Sequence, residues 1–83
     1  MDITYSKQAA KYLDKLDKTT KHRMRNAIYQ LSLEPPEGDI KPLSGEDNIY
    51  RARMGDYRIL FEMDAEKKML VIRRIAPRGD VYE

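Results

Sequence analysis

Arg51 and Arg53 precede the dipeptide Gly55-Asp56, and Arg58 follows it, in the stretch NIYRARMGDYRILFE (residues 48–62). Their types and spacing can do chemistry. A guanidinium is planar, stays charged at any physiological pH, and offers paired N–H donors that match two phosphate oxygens. Several of them held on one rigid surface suit a phosphate whose negative charge grows during reaction. The plainer reading is an exposed, arginine-rich face whose long stems cover Leu60.

Local pairing bears on the choice. A two-residue Gly-Asp loop is a recognised hairpin turn. Closing it sets Met54 against Tyr57, Arg53 against Arg58, Ala52 against Ile59, and Tyr50 against Phe61. One face then carries only apolar and aromatic residues. The other carries Arg51, Arg53, Arg58 and Leu60. A one-residue slip would mix arginine into the apolar set, so the hydrophobic pattern selects this register. Like charges directly opposite destabilise a strand pair, and within the hairpin only Asp56 and Glu62 are near enough to offset them. Folding gives no reason to put Arg53 against Arg58.

Two more candidates follow the last strand. Arg78 is a further cation. Tyr82 admits two readings: a terminal residue without a task, or an aromatic that stacks on a base or donates a hydrogen bond to phosphate. His22 is the sole histidine and has no second histidine or cysteine near it in sequence; it reads as a surface residue. Lys7, Lys11 and Lys15 line one face of a helix, as a solvated surface or a non-specific phosphate-contacting stripe.

The elements that must position these residues can be read from periodicity. Residues 2–5 form a short strand and Ser6 an N-cap. Ala9, Tyr12, Leu13 and Leu16 recur at helical spacing, giving an amphipathic helix over 7–16. LDKTT breaks the pattern and can recap, and Met24, Ala27, Ile28 and Leu31 mark a second helix over 19–33. So short a connection implies an antiparallel helical hairpin. EPPEG ends it in a stiff turn. DIKPLSGEDN reads as a loop with a short extended piece around Ile40. Strands follow at 49–54, 57–63 and 69–76, the last two joined by the turn AEKK. The expected fold is α+β: an N-terminal strand, a helical hairpin, and an antiparallel β-meander packed on the helices, βααβββ.

Composition bounds the rest. The chain has 83 residues, enough for a single domain over 1–83, and no cysteine, which excludes disulfides and zinc–thiolate sites. Net charge is +2 although 36% of residues are charged, so local placement of charge must decide any nucleic-acid partner. No apolar run approaches the ~18 residues of a membrane span, and MDITYSKQ lacks the pattern of a secretory signal. The chain reads as soluble and cytoplasmic, with no membrane partner.

The ordered set of features resembles the RelE/ParE superfamily of bacterial and archaeal toxins. The residues that carry the resemblance are PLSGEDNIYRARMGDYR, the ending RRIAPRGDVYE, the LDK connection between the helices and the PP-containing turn. It spans nearly the whole chain. It implies the toxin of a type II toxin–antitoxin system, a ribosome-dependent endoribonuclease (an mRNA interferase) that cleaves mRNA in the A site. No metal or cofactor takes part. Implied partners are a cognate antitoxin protein, the 70S ribosome and mRNA, with operator DNA reached only through the antitoxin. The implied catalytic residues are Arg53, Arg58, Arg78 and Tyr82, with Arg51 on the substrate phosphate. The sequence departs from the common pattern: Arg51 and Arg53 stand where lysine is frequent, and Pro77 where histidine or lysine is.

The implied reaction is attack of a ribose 2′-hydroxyl on the adjacent phosphate, leaving a 2′,3′-cyclic phosphate and a 5′-hydroxyl. Arginine is a poor base because its pKa lies above ~12. Among the residues named, Tyr82 is the candidate for proton transfer. Positioning and electrostatics then lead the catalysis, with a shallow pH dependence around neutrality. Two other readings stand: a ParE-like inhibitor of DNA gyrase without nuclease activity, and a non-catalytic module whose basic sheet holds an acidic partner.

Overall fold

Alternating apolar residues in three consecutive segments demand a sheet with one covered face, and two amphipathic helices supply the cover. In the computed structural model, which describes residues 1–77, the elements run β1 (Asp2–Tyr5), α1 (Lys7–Lys15), α2 (Lys18–Leu31), β2 (Asp39–Pro42), β3 (Ile49–Met54), β4 (Tyr57–Asp64) and β5 (Met69–Pro77). The sheet has five strands in the order β1-β5-β4-β3-β2. β2 to β5 form an antiparallel meander, and β1 joins β5 in parallel.

The β3–β4 hairpin has the expected register: Met54 faces Tyr57, Arg53 faces Arg58, Ala52 faces Ile59, and Tyr50 faces Phe61. Gly55 takes φ +57°, the left-handed region that glycine enters without penalty. That is the requirement of a two-residue turn with glycine first. The apolar face of the hairpin is the core. Ile59, Phe61, Leu70, Ile72 and Ile75 are fully buried from the sheet, as are Met24 and Ile28 from α2. Ala9 and Leu13 complete the cluster from α1. Each such large side chain contributes about 1.5–3 kcal/mol on leaving water. Tyr50 stacks on Phe61 with ring centroids 5.7 Å apart, and Tyr12 meets Tyr57 edge-on at 6.3 Å.

The start of α1 continues what β1 begins. β1 pairs with β5 as far as Ile72. There the chain turns into a helix, which would leave the next β5 main-chain groups unpaired. Ser6 solves part of this: its Oγ accepts from the Ala9 amide at 3.0 Å, as an N-cap, and donates to the Arg73 carbonyl at 2.6 Å. Gln8 solves the rest. Its side-chain amide donates to the Ile75 carbonyl at 2.9 Å, and its oxygen accepts from the Ile75 amide at 3.1 Å. A glutamine thus stands in for a strand neighbour. The β4–β5 register shifts at the same level, between Leu60 and Phe61. Leu60 faces Arg74 and Phe61 faces Ile72, so Arg73 is the extra residue of a bulge.

The structure differs from the sequence reading in one strand and at several element ends, β4 and β5 each running one residue further than expected. Residues 39–42 are a strand, β2, paired with β3, rather than a loop with an extended piece, and the meander has four strands rather than three. α1 ends at Lys15 because Leu16 is already extended (φ −71°, ψ 150°). α2 spans Lys18–Leu31, one residue earlier at its start and two at its end than expected. Its N-cap is Asp17, whose carboxylate accepts from the Thr20 amide at 3.2 Å. Among the described residues no helix is long and apolar enough to cross a membrane.

Candidate anion site on the outer face of the sheet

Side chains at directly opposed positions share a face of the sheet. On the face away from the helices, the registers place Asp39, Arg53 and Arg58 in one row across β2, β3 and β4. Lys41, Arg51 and Leu60 form the next row. Along each strand the rows are two residues apart, ~6.6 Å at the usual rise of a strand. A depression of about 40 Å³ opens here, lined by Asp39, Lys41, Arg51, Arg53 and Arg58. Four cations and one carboxylate therefore surround a single hollow.

Arg51 and Arg58 are half-buried and Arg53 is exposed. Among the described residues, the Nη1 atom of Arg58 is buried and has no hydrogen-bond partner. An unpartnered buried donor on a charged group costs more than an ordinary one, so the fold holds this nitrogen at an energetic loss unless an anion arrives. Among the described residues, Arg53 and Arg58 make no ion pair with any carboxylate. Glu62, which the sequence offers as an offset for the hairpin arginines, is engaged elsewhere: it accepts from Arg73 at 2.9 Å. Both partners of that pair are substantially exposed, so it contributes little to stability. What it does is leave the hairpin arginines without that counter-charge.

The structure thus brings together three of the five sequence-predicted residues, Arg51, Arg53 and Arg58. Arg78 and Tyr82 lie outside the described residues. Lys7, Lys11 and Lys15 are exposed on α1, and His22 is exposed on α2, none of them at the hollow. Two lining residues, Asp39 and Lys41, were missed by sequence reasoning. β2 thereby also brings a lysine to the lining. A signal existed: Asp39-Ile40-Lys41 alternates polar, apolar, polar, the pattern of a half-buried strand. It is only three residues long and ends in Pro42, which made it read as a loop.

Comparison with known proteins places this geometry in context. Residues 3–82 match the family described as the ParE toxin of the type II toxin–antitoxin system parDE. The chain is 29% identical to toxin RelE3 of Methanocaldococcus jannaschii, over all of this chain and 97% of that protein. It is 27% identical to the same organism's putative toxin RelE1, over 99% of this chain and 94% of that one. Among solved structures, the archaeal RelE–RelB complex of Pyrococcus horikoshii superposes with a TM-score of 0.80 at 32% identity, covering 95% of this chain and 96% of that chain. The RelBE2 toxin–antitoxin complex of Mycobacterium tuberculosis gives 0.77 at 27%, covering 93% and 96%.

Proposed function

The chain belongs to the RelE/ParE superfamily of type II toxin–antitoxin toxins, and on that premise we propose that it is a ribosome-dependent endoribonuclease cleaving mRNA in the A site. The observation that carries this reading is the convergence of Arg51, Arg53 and Arg58 on one hollow, with a buried Arg58 nitrogen unpartnered among the described residues. In the proposed reaction a ribose 2′-oxygen bonds to phosphorus and the bond to the 5′-oxygen breaks. Negative charge accumulates on the non-bridging oxygens as it does so. Arg53 and Arg58 take up that charge, and Arg51 orients the backbone. Preorganised donors of this kind act at full strength because they need not reorient when the charge appears. Arg78 and Tyr82 are proposed as further members of the set on the strength of the family resemblance. No metal ion is assigned a role.

The same reading supplies the partners. Several of the similar solved structures are complexes of a RelE toxin with a RelB antitoxin. We propose that this chain too is held by an antitoxin encoded beside it, that ribosome and mRNA form its target, and that operator DNA is reached through the antitoxin. The cell compartment that fits is the cytoplasm.

Induced expression without antitoxin, followed by mapping of mRNA 5′ ends across the transcriptome, tests the proposal. New ends within ribosome-occupied codons are expected. A second reading, inhibition of DNA gyrase, is favoured by the ParE description of the matching family. It predicts no new ends and a block of supercoiling by purified gyrase, so the two assays run side by side separate the readings.

A further inference from the structure

The hollow contains a carboxylate that simple anion binding does not need. Asp39 repels phosphate, yet it lines the same depression as four cations. It stands directly opposite Arg53 but does not neutralise it. Among the described residues its carboxylate makes neither a hydrogen bond nor an ion pair. Lys41, two residues on and on the same face, is also without a partner among the described residues, and it stands opposite another cation, Arg51. Cross-strand like-charge pairs destabilise a sheet, and this face carries two: Lys41 with Arg51 and Arg53 with Arg58. Asp39 and Lys41 are exposed and uncommitted among the described residues, which leaves them for a ligand.

Their chemistry completes what the arginines lack. Arginine can neither accept nor release a proton in this pH range. A carboxylate can accept one and an ammonium can give one. A displacement at phosphorus has the attacking and leaving oxygens roughly in line, so base and acid belong on opposite sides of the phosphate. Asp39 and Lys41 lie in successive rows of one face, ~6.6 Å apart along the strand, with the arginines beside them on β3 and β4.

We propose that Asp39 and Lys41 are the proton-transfer pair of the cleavage, an inference that rests on the nuclease reading of the site. Asp39 takes the proton from the 2′-hydroxyl as its oxygen bonds to phosphorus. Lys41 gives a proton to the 5′-oxygen as its bond to phosphorus breaks. The products are the cyclic phosphate and the 5′-hydroxyl, with a protonated Asp39 and a neutral Lys41. Solvent then returns a proton from one to the other, so the enzyme ends as it began. The charged groups facing Asp39 are Lys41 on its own strand, Arg51 and Arg53 on β3, and Arg58 on β4. Glu37 lies with Asp39 along the neighbouring cavity beneath α2.

The test is single-turnover cleavage of ribosome-bound mRNA by the full chain, with thermal melts to establish that each variant is folded. Both residues are exposed, and their replacement leaves the core intact. Loss of a general acid or base typically slows a reaction about 10²- to 10⁴-fold. Asp39→Asn is expected to fall in that range and to lose the acid limb of the pH–rate profile, which a merely structural role would not remove. Lys41→Arg keeps the charge but not the transferable proton. It is expected to be equally slow on normal RNA and to recover on RNA with a 5′-bridging sulfur, a leaving group that needs no proton. Arg58→Ala is expected to be slow on both substrates. A rate within about threefold of the parent for either β2 variant overturns the pair. So does a Lys41→Arg defect that persists on the sulfur substrate, or a Tyr82→Phe loss that accompanies an unimpaired Asp39→Asn. If the parent cleaves, these outcomes leave the nuclease reading standing. If the parent cleaves no RNA at all, that reading falls, and the pair with it.

Discussion

Arg53 on β3 stands directly opposite Arg58 on β4, and no carboxylate of the described residues pairs with either. The hairpin that carries them is otherwise well satisfied: its inner face is core and its turn is closed by a glycine in the conformation the turn requires. The repulsion is therefore confined to the face that meets solvent, where an anion can relieve it. Stability and activity should trade against one another at these two positions.

Arg53→Ser is expected to raise stability by a few tenths of a kcal/mol, the scale of an unfavourable cross-strand charge pair. Urea denaturation at low and high salt checks this. The gain should shrink as salt rises, because screening already relieves the parent.

Arg58→Ala is expected to abolish growth arrest when expressed without antitoxin. Loss of one preorganised donor to developing charge costs about 2.7–4 kcal/mol, a hundred- to a thousandfold in rate. The assay is colony survival together with the yield of folded protein. A variant as toxic as the parent would remove the assigned site.

A small phosphate-bearing ligand, such as a dinucleotide, is expected to stabilise the parent against heat. At a hundred times its Kd the gain is about 2.7 kcal/mol. For a domain of this size each kcal/mol is worth ~4–8 °C in Tm. The double variant Arg53→Ala with Arg58→Ala should show little of that shift in a differential scanning measurement.

Ser6→Ala removes both the N-cap of α1 and the bond to the Arg73 carbonyl. Loss of such a cap costs about 0.5–2 kcal/mol, and the value here should lie in the upper half of that range because a β5 carbonyl loses its partner as well. Equilibrium urea unfolding measures it. Amide exchange should quicken at Ala9 first.

Asp17 gives a pH signature. Its carboxyl is held below the usual carboxylate range, chiefly by the hydrogen bond from the Thr20 side chain and then by that from the Thr20 amide. A lowered folded-state pKa means that this contribution to stability is present above the unfolded value and disappears as pH falls through the folded value. The parent's Tm should therefore drop more steeply than that of Asp17→Asn as pH falls from 6 towards acid. Parallel slopes would contradict the capping role.

The most legible parts of this protein are those whose partners are close in sequence. Ser6 is a hydroxyl ahead of an amphipathic run, and it caps α1. The β3–β4 register follows from Gly55-Asp56 together with strict alternation on either side, since any slip would bury arginine. Arg51, Arg53 and Arg58 were thus placed on one face by local pattern alone. Arginine chemistry supplied the expectation of a phosphate at that face, and the family resemblance added that of a ribosome-bound mRNA.

Tertiary structure decided what depends on distant partners. β2 is four residues long with Ile40 as its apolar anchor, too little pattern to announce a strand. It exists because β3 offers it an edge of unpaired main-chain groups, and only that docking brings Asp39 and Lys41 to the arginines. The bulge at Arg73, which draws Glu62 away from the hairpin, likewise arises where α1 takes over from β1 along β5. Alternation along one chain tells which face a side chain occupies. Which strands lie side by side, and so which charges share a hollow, is settled only when the sheet assembles.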